Sequence, residues 1–367
     1  MAYTTIDDPG LYFNTILWTG ESNTANRNFT GVGFQPDLVW STIRDDAYHN
    51  NIFDSVRGGG SEKELITDTN AAEGGGDAGE YGYISSFTSD GFNTTAGSAS
   101  GGRNLEYNQS GNTFVAWCWK AGTSFSNDAS ATSIGDIDSS GSVSQTSGFS
   151  ICSYSGSGTS GDTIKHGLST APKIIIIKKR SATDNWTMLN TNISLDTHLH
   201  LNTTDSAVSD PMFTNTAPTT SVFTVDSDGQ VNESGHTFIA YCFSEVKGYS
   251  RFGVYTGNNN ANGNFIYTGF RPAFVLSKDS ASGQSWHLID NKRDTFNDDD
   301  NAHLLPNSNN SEANAKTNRG TMKTDLLSNG FKINTDGSHT NGTGTHIYMA
   351  FAKAPFVNSN GVPCNAR

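Results

Sequence analysis

The chain has 367 residues, a length that suits two or three domains. Its 23 Lys and Arg against 36 Asp and Glu leave a formal charge of −13, which repels phosphate backbones and anionic head groups and argues against nucleic-acid or membrane-surface partners. With 34% hydrophobic and 16% charged residues but 39 glycines and 11% aromatics, the composition excludes a coiled coil, a membrane protein, a disordered chain and an ordinary helical enzyme.

The opening MAYTTIDDPG lacks a basic n-region and an apolar h-region. No secretory leader is expected, and residues 1–10 read as a docking segment. Residues 11–120 open on Ile16-Leu17-Trp18-Thr19-Gly20 and pass through Gly33-Phe34-Gln35-Pro36 into Leu38-Val39-Trp40. They turn at Asp90-Gly91 and close on Phe114-Val115-Ala116-Trp117-Cys118-Trp119. Residues 121–147, rich in Ser, Gly and Thr, read as a linker. The alternation in Ser133-Ile134-Gly135-Asp136-Ile137 and Ser142-Val143-Ser144 also fits a hairpin laid on a neighbour.

Residues 148–246 then repeat the landmarks: Cys152-Ser153-Tyr154-Ser155-Gly156, Gly167-Leu168 with Pro172, the run Ile174 to Ile177, Asp228-Gly229, and Phe238-Ile239-Ala240-Tyr241-Cys242-Phe243. Only Val246-Lys247-Gly248 precedes the third copy, 249–355, so that joint is expected to be rigid. Here the landmarks are Gly253-Val254-Tyr255-Thr256-Gly257, Gly269-Phe270-Arg271-Pro272, Phe274-Val275-Leu276, Asn329-Gly330, and Tyr348-Met349-Ala350-Phe351-Ala352. The strip 297–318, containing Asp298-Asp299-Asp300, reads as a solvated outer loop, and residues 356–367 as a tail.

A recurrence of this kind marks tandem copies. Each copy is near the ~100 residues of a β-sandwich. Short apolar runs broken by Gly, Asn, Asp and Pro are the pattern of such folds, and Pro is tolerated at a strand's first residue. No stretch shows a sustained 3.6-residue period. The expected fold is all-β, with three tandem β-sandwich modules.

Matched positions also weigh the residues that tempt a chemical reading. Cys118 and Cys242 match Ala352, which neither ligates nor attacks, so that slot asks for a small buried side chain. Trp117 and Trp119 alternate with Cys118 and face the other way, and Tyr241 and Phe351 replace Trp117, which preserves bulk. Trp186 and Trp286 occupy corresponding places, with Asn50 near that place in the first copy. They are the candidates for stacking on a glycan. His198 and His200 share one face of a strand, which reads as an exposed polar face more than as the start of a zinc site. Asp136 and Asp138 partly copy a calcium loop without its closing Glu and are the weak metal candidates. Asp7, Asp8, Asp37, Asp45, Asp46 and Asp54 are not distinguished from turn-forming acids. No catalytic motif is found, and no cofactor or catalytic residue is assigned.

Several phrases resemble virion structural proteins of marine tailed bacteriophages, the tail-fibre or host-recognition proteins of phages infecting cyanobacteria and other ocean bacteria. They are MAYTTIDDPG with YFNT, GVGFQPDLVW, FVAWCWKAG, GFSICSYSG, FIAYCFSEVKGYSRFGVYTG and YMAFAKAPFV. The likeness runs from Met1 to about Val357. It implies a lectin-like, jelly-roll form for each module and a non-enzymatic role in the particle. Gly74-Gly75-Gly76 and Gly101-Gly102 stand out as local insertions.

The leading expectation is a tail fibre or appendage protein for host-surface recognition, held by other virion proteins and binding a glycan or protein on the host. A homotrimer is expected by analogy with other phage appendages. Localisation is the virion, after assembly in the host cytoplasm. The alternatives are a capsid decoration protein and a glycan depolymerase. A secreted lectin is disfavoured because no leader is seen.

Overall fold

The computed structural model describes the chain except residues 1–2, 294, 296, 298–300, 320–321 and 365–367, and the side chains of 316–319. Asp298, Asp299 and Asp300 therefore lie outside the described residues.

The first stretch supplies β1 (Phe13–Thr19), β2 (Arg27–Phe29), β3 (Leu38–Ile43), β4 (Asn51–Asp54), β5 (Leu65–Ile66), β6 (Tyr83–Thr88), β7 (Gly91–Thr95) and β8 (Thr113–Trp119), with short helices α1 (Ala78–Tyr81) and α2 (Leu105–Asn108). Five strands pair antiparallel in the order β1-β8-β3-β4-β5, and a second sheet runs β2-β7-β6. The middle stretch supplies β9 (Thr123–Asn127), α3 (Ala129–Thr132), β10 (Ser139–Ser144), β11 (Phe149–Ser155), β12 (Thr163–Lys165), β13 (Ile174–Lys179), β14 (Trp186–Asn190), β15 (Thr197–His200), β16 (Val208–Ser209), β17 (Val222–Thr224), α4 (Gly229–Asn232) and β18 (Thr237–Phe243). Its large sheet is ordered β16-β15-β14-β13-β18-β11-β10-β9, with β12-β17 as the small one. The last stretch supplies β19 (Ser250–Thr256), β20 (Phe265–Tyr267), β21 (Phe270–Asp279), β22 (His287–Asp290), α5 (Glu312–Arg319), β23 (Thr324–Leu327), β24 (Gly330–Ile333), α6 (Ser338–Asn341) and β25 (Thr345–Pro355), paired as β19-β25-β21-β22 and β20-β24-β23. In all three large sheets the opening strand lies beside the closing strand, which lies beside the strand that follows the Gly/Pro landmark. The fold is all-β, and among the described residues no helix is long and apolar enough to cross a membrane.

The strands nearest the centre are buried on both faces, so they read as unbroken apolar runs. Period-two alternation then divides each strand between two cores. Ala116 and Cys118 join Phe29, Val39, Phe53, Ile84 and Phe92 between the first pair of sheets. Ala240 and Cys242 lie in the matching core of the second pair, and Ala350 and Ala352 in that of the third. The alternate residues point the other way, into one core shared by all three stretches. Val115, Trp117 and Trp119 meet Ile239, Tyr241 and Phe243 there, together with Ile347, Met349 and Phe351. Aromatic rings cross between stretches: Trp119 and Phe274 are 5.5 Å apart at 82°, and Phe243 and Phe351 are 6.0 Å apart at 61°. Each such pair adds about 0.5–1.5 kcal/mol beyond the area it buries.

Three expectations need correction. The stretch 121–147 is not a free linker, because β9 pairs with β10 and β10 with β11, widening the middle sheet. The strand opposite β10 is 123–127, not 133–137. The strip 297–318 is not simply a solvated loop. Asn301, His303, Leu304 and Leu305 are buried, Leu304 bridges to Leu288, and α5 follows. The N-terminal segment docks on the chain itself. Ile6 joins Phe13 of β1 in the shared core, and the Tyr3 hydroxyl donates to the Gly269 carbonyl at 2.8 Å.

Candidate functional site

Trp186 and Trp286 are buried, so neither ring face is open to a sugar; this corrects their assignment as glycan platforms. Each indole N–H crosses between stretches instead. Trp186 donates to the Ile66 carbonyl at 2.8 Å and Trp286 to the His200 carbonyl at 2.9 Å. Asn50, at the corresponding place, donates to the Leu305 carbonyl at 3.1 Å. The middle stretch thus reaches the first, the last reaches the middle, and the first reaches the last. Head-to-tail contacts that close in this way make a ring.

The same cycle recurs in charged groups. Arg57, fully buried, donates to Asp54 Oδ2 at 2.5 Å, to Glu73 at 3.0 Å, and to the carbonyls of Ile52 and Lys63. Arg180, from the middle stretch, grips Glu73 at 2.8 Å, and the Tyr241 hydroxyl donates to Asp54 Oδ2 at 2.7 Å. One joint further on, Arg293 repeats the pattern with Asp290 at 2.6 Å and Glu312 at 2.9 Å. Arg44 binds Glu312 at 2.9 Å, and Trp117 Nε1 donates to Asp290 at 3.0 Å. At the third joint the corresponding residues are Asn190, Ile193, Ala207, Ser280 and Phe351, with no ion pair among them. The backbone still matches. Glu73, Ala207 and Glu312 donate their N–H to the carbonyls of Arg180, Ser280 and Arg44 at 2.9, 2.8 and 2.8 Å. The spacing Asp-x-x-Arg at 54–57 and 290–293, in matching places of the repeat, is a sequence signal for these networks.

The remaining singled-out residues are also tied into the fold. Asp136 accepts the N–H and hydroxyl of Thr163 at 2.9 and 2.6 Å, and Asp138 accepts the N–H of Ala129 at 2.8 Å. The two carboxylates therefore brace separate backbone segments. His198 and His200 are buried, not an exposed face, with their Nε2 atoms 3.2 Å apart. Cys118, Cys152 and Cys242 are free and buried.

A polar centre missed by sequence reasoning sits between the fourth and fifth strands of the first large sheet and the helix that precedes its closing strand. Asn51 Nδ2 donates to Glu106 Oε2 at 2.8 Å. Glu64 and Asp77 complete the cluster, and one carboxylate oxygen from each of Glu64, Asp77 and Glu106 lies within 4.8 Å of the others. The chain brings them together by strand register: Asn51 pairs with Ile66 in the ladder, so Glu64 points to the same side. Glu106 sits on α2, and the turn after Gly74-Gly75-Gly76 delivers Asp77. Gly76 leaves room for the cluster there, since a Cβ would stand 2.1 Å from Glu64 Oε2 and displace that carboxylate. Burial pushes the Glu64 carboxyl up to about 7, with Asp77 adding to it; burial, then the charge of Glu64, pushes Glu106 well above the usual carboxylate range. The positions corresponding to Asn51, Glu64 and Glu106 hold Thr187, His198 and Gln230 in the middle stretch, where Thr187 Oγ1 donates to Gln230 at 3.2 Å. In the last stretch they hold His287, His303 and His339, with ring centroids 5.4 and 5.6 Å from His287.

On the outer surface, Phe265 and Tyr267 are 46% and 56% exposed on the edge strand β20. The Tyr3 and Tyr267 hydroxyls are 3.2 Å apart, and Lys247 Nζ lies 4.6 Å from the centre of the Tyr3 ring.

A family model described as a domain of unknown function (DUF7483) matches residues 8–355, and the chain belongs to that family. The match spans all three pairs of sheets. No curated protein and no solved structure matches the chain.

Proposed function

We propose that this chain is a non-enzymatic structural protein of a tailed-phage particle, a tail fibre or appendage component for host-surface recognition. It is built from three copies of one lectin-like, jelly-roll-like sandwich. The observation that carries the reading is what the repeated positions do. Trp186, Trp286, Trp117, Tyr241 and the Asp-x-x-Arg pairs all join one sheet pair to the next. A chain that commits its repeated aromatic and charged groups to rigidity suits a scaffold presenting polar loops. The exposed aromatics on β20 are the surface we assign to a neutral sugar or a wet protein contact. Homotrimer formation and contacts with other virion proteins belong to the same proposal.

The capsid decoration reading is favoured by one observation. The ring of contacts gives a single chain three-fold form, which suits a three-fold position on a shell. Gold-labelled antibodies against the purified chain, imaged on particles of a phage that encodes it, separate the two. Label on tail appendages supports the leading reading, and label spread over the capsid supports decoration. Particles that carry no label refute both. A depolymerase would release sugar fragments from host envelopes incubated with the pure chain; the proposal expects none.

A further inference from the structure

The cluster of Glu64, Asp77 and Glu106 carries an inference independent of the virion reading. Three carboxylates converge there, and none pairs with a Lys or Arg side chain among the described residues. Glu64 and Glu106 are 1% and 3% exposed. Glu64 Oε1, Asp77 Oδ1 and Glu106 Oε1 are buried with no donor from outside the cluster, and the Asp77 and Glu106 carboxyls lie within hydrogen-bond reach of each other. A neutral side chain adds a separate observation. Asn51 is 2% exposed, its Nδ2 is spent on Glu106, and its Oδ1 is likewise buried without a donor. Buried carboxylates crowded together without a countercharge are strongly disfavoured, and buried oxygens to which nothing outside the cluster donates call for a positive partner that brings none of its own acceptors.

We propose that the first pair of sheets holds one divalent cation of the oxygen-preferring, calcium-sized class, bound by Glu64, Asp77 and Glu106 with Asn51 Oδ1 as a neutral ligand. The chemistry fits a hard ion, because every candidate donor is oxygen. An irregular set of three carboxylates and one amide oxygen suits the flexible six-to-eight-oxygen shell of calcium better than the near-octahedral, largely hydrated shell of magnesium. Asp77 is half-buried, which leaves the cluster an edge toward solvent. The positions matching Asn51, Glu64 and Glu106 in the other two stretches carry Thr187, His198 and Gln230, and His287, His303 and His339. They bring no carboxylate, so one ion per chain is expected.

The test uses the full-length chain freed of metal with EDTA, titrated with calcium chloride by calorimetry and melted with and without it. The expected results are a stoichiometry of one and a rise in Tm of roughly 3–5 °C at a hundred-fold excess over Kd. Glu106→Gln keeps an acceptor for Asn51 but removes one charge. It is expected to melt above the metal-free wild type and to lose the calcium shift. Asp205→Asn, at an exposed acid elsewhere, is expected to keep it. Absence of heat and of a Tm shift at millimolar calcium would overturn the proposal, as would a shift that survives Glu106→Gln. A response to magnesium alone would overturn the calcium-sized assignment.

Discussion

Replacing Arg57 by Ile isolates what the buried ion networks contribute. The guanidinium is fully enclosed and donates to Asp54, Glu73 and two carbonyls. Removing it leaves Asp54 with the Tyr241 hydroxyl and the backbone N–H groups of residues 56 and 57, and leaves Glu73 with Arg180. Breaking a buried pair by deleting one member costs about 3–5 kcal/mol, because the other charge stays buried. The protein contains its own control, since the third joint runs on Asn190, Ile193, Ala207 and Ser280. Combining Asp54→Asn, Arg57→Ile, Glu73→Ala, Arg180→Ser and Tyr241→Phe, the last after Phe351, copies that joint into the first. The combination is expected to regain all but about 1–2 kcal/mol, since apolar replacement of a whole buried network is close to neutral. In equilibrium urea unfolding, the single variant should lower the midpoint by about 1 M and the combination should recover most of it. A single variant costing under 1 kcal/mol, or a combination no better than the single variant, would refute the reasoning.

Further outcomes follow from the same contacts. Trp186→Phe strips the N–H from the buried Ile66 carbonyl and shrinks the ring, and is expected to cost about 2–3 kcal/mol in urea unfolding while far-UV circular dichroism of the folded chain stays unchanged. Cys118→Ala copies Ala352 and is expected to cost about 1 kcal/mol, with no change of fold, by the same two assays. Burial holds His166 down to about 4 from 6.5, so the unfolded chain takes up a proton that the folded chain refuses. Its contribution is complete above pH 6.5 and is lost as pH falls toward 4, about 3 kcal/mol in all. His166→Asn should flatten that slope. Glu64 and Glu106 act in the opposite sense, so the histidine is read from the difference between wild type and variant in unfolding curves at pH 7, 5.5 and 4.

Much of the fold could be read from periodicity and repetition. The alternation in Phe114 to Trp119 placed Cys118 and Trp117 on opposite faces, and the match with Ala352 identified a small buried slot. What alternation could not say is whose core each face meets. Tandem sandwiches read as beads, and only the closed ring shows that Trp117, Tyr241 and Phe351 share one interior. Trp186 and Trp286 misled for the same reason, since an aromatic at a strand's start looks equally suited to a sugar or to a neighbouring sheet. The Glu64, Asp77 and Glu106 cluster was invisible because its members are far apart in sequence and meet through a strand register, a glycine turn and a helix. The Asp-x-x-Arg pairs were legible in principle, had residues 54–57 been set beside 290–293.

Differential scanning calorimetry of the intact chain most directly tests whether the three sheet pairs are one body around one interior. The shared core and closed ring predict a single transition whose calorimetric and van't Hoff enthalpies agree. Two or three resolved transitions, or a calorimetric enthalpy several times the van't Hoff value, would contradict the account.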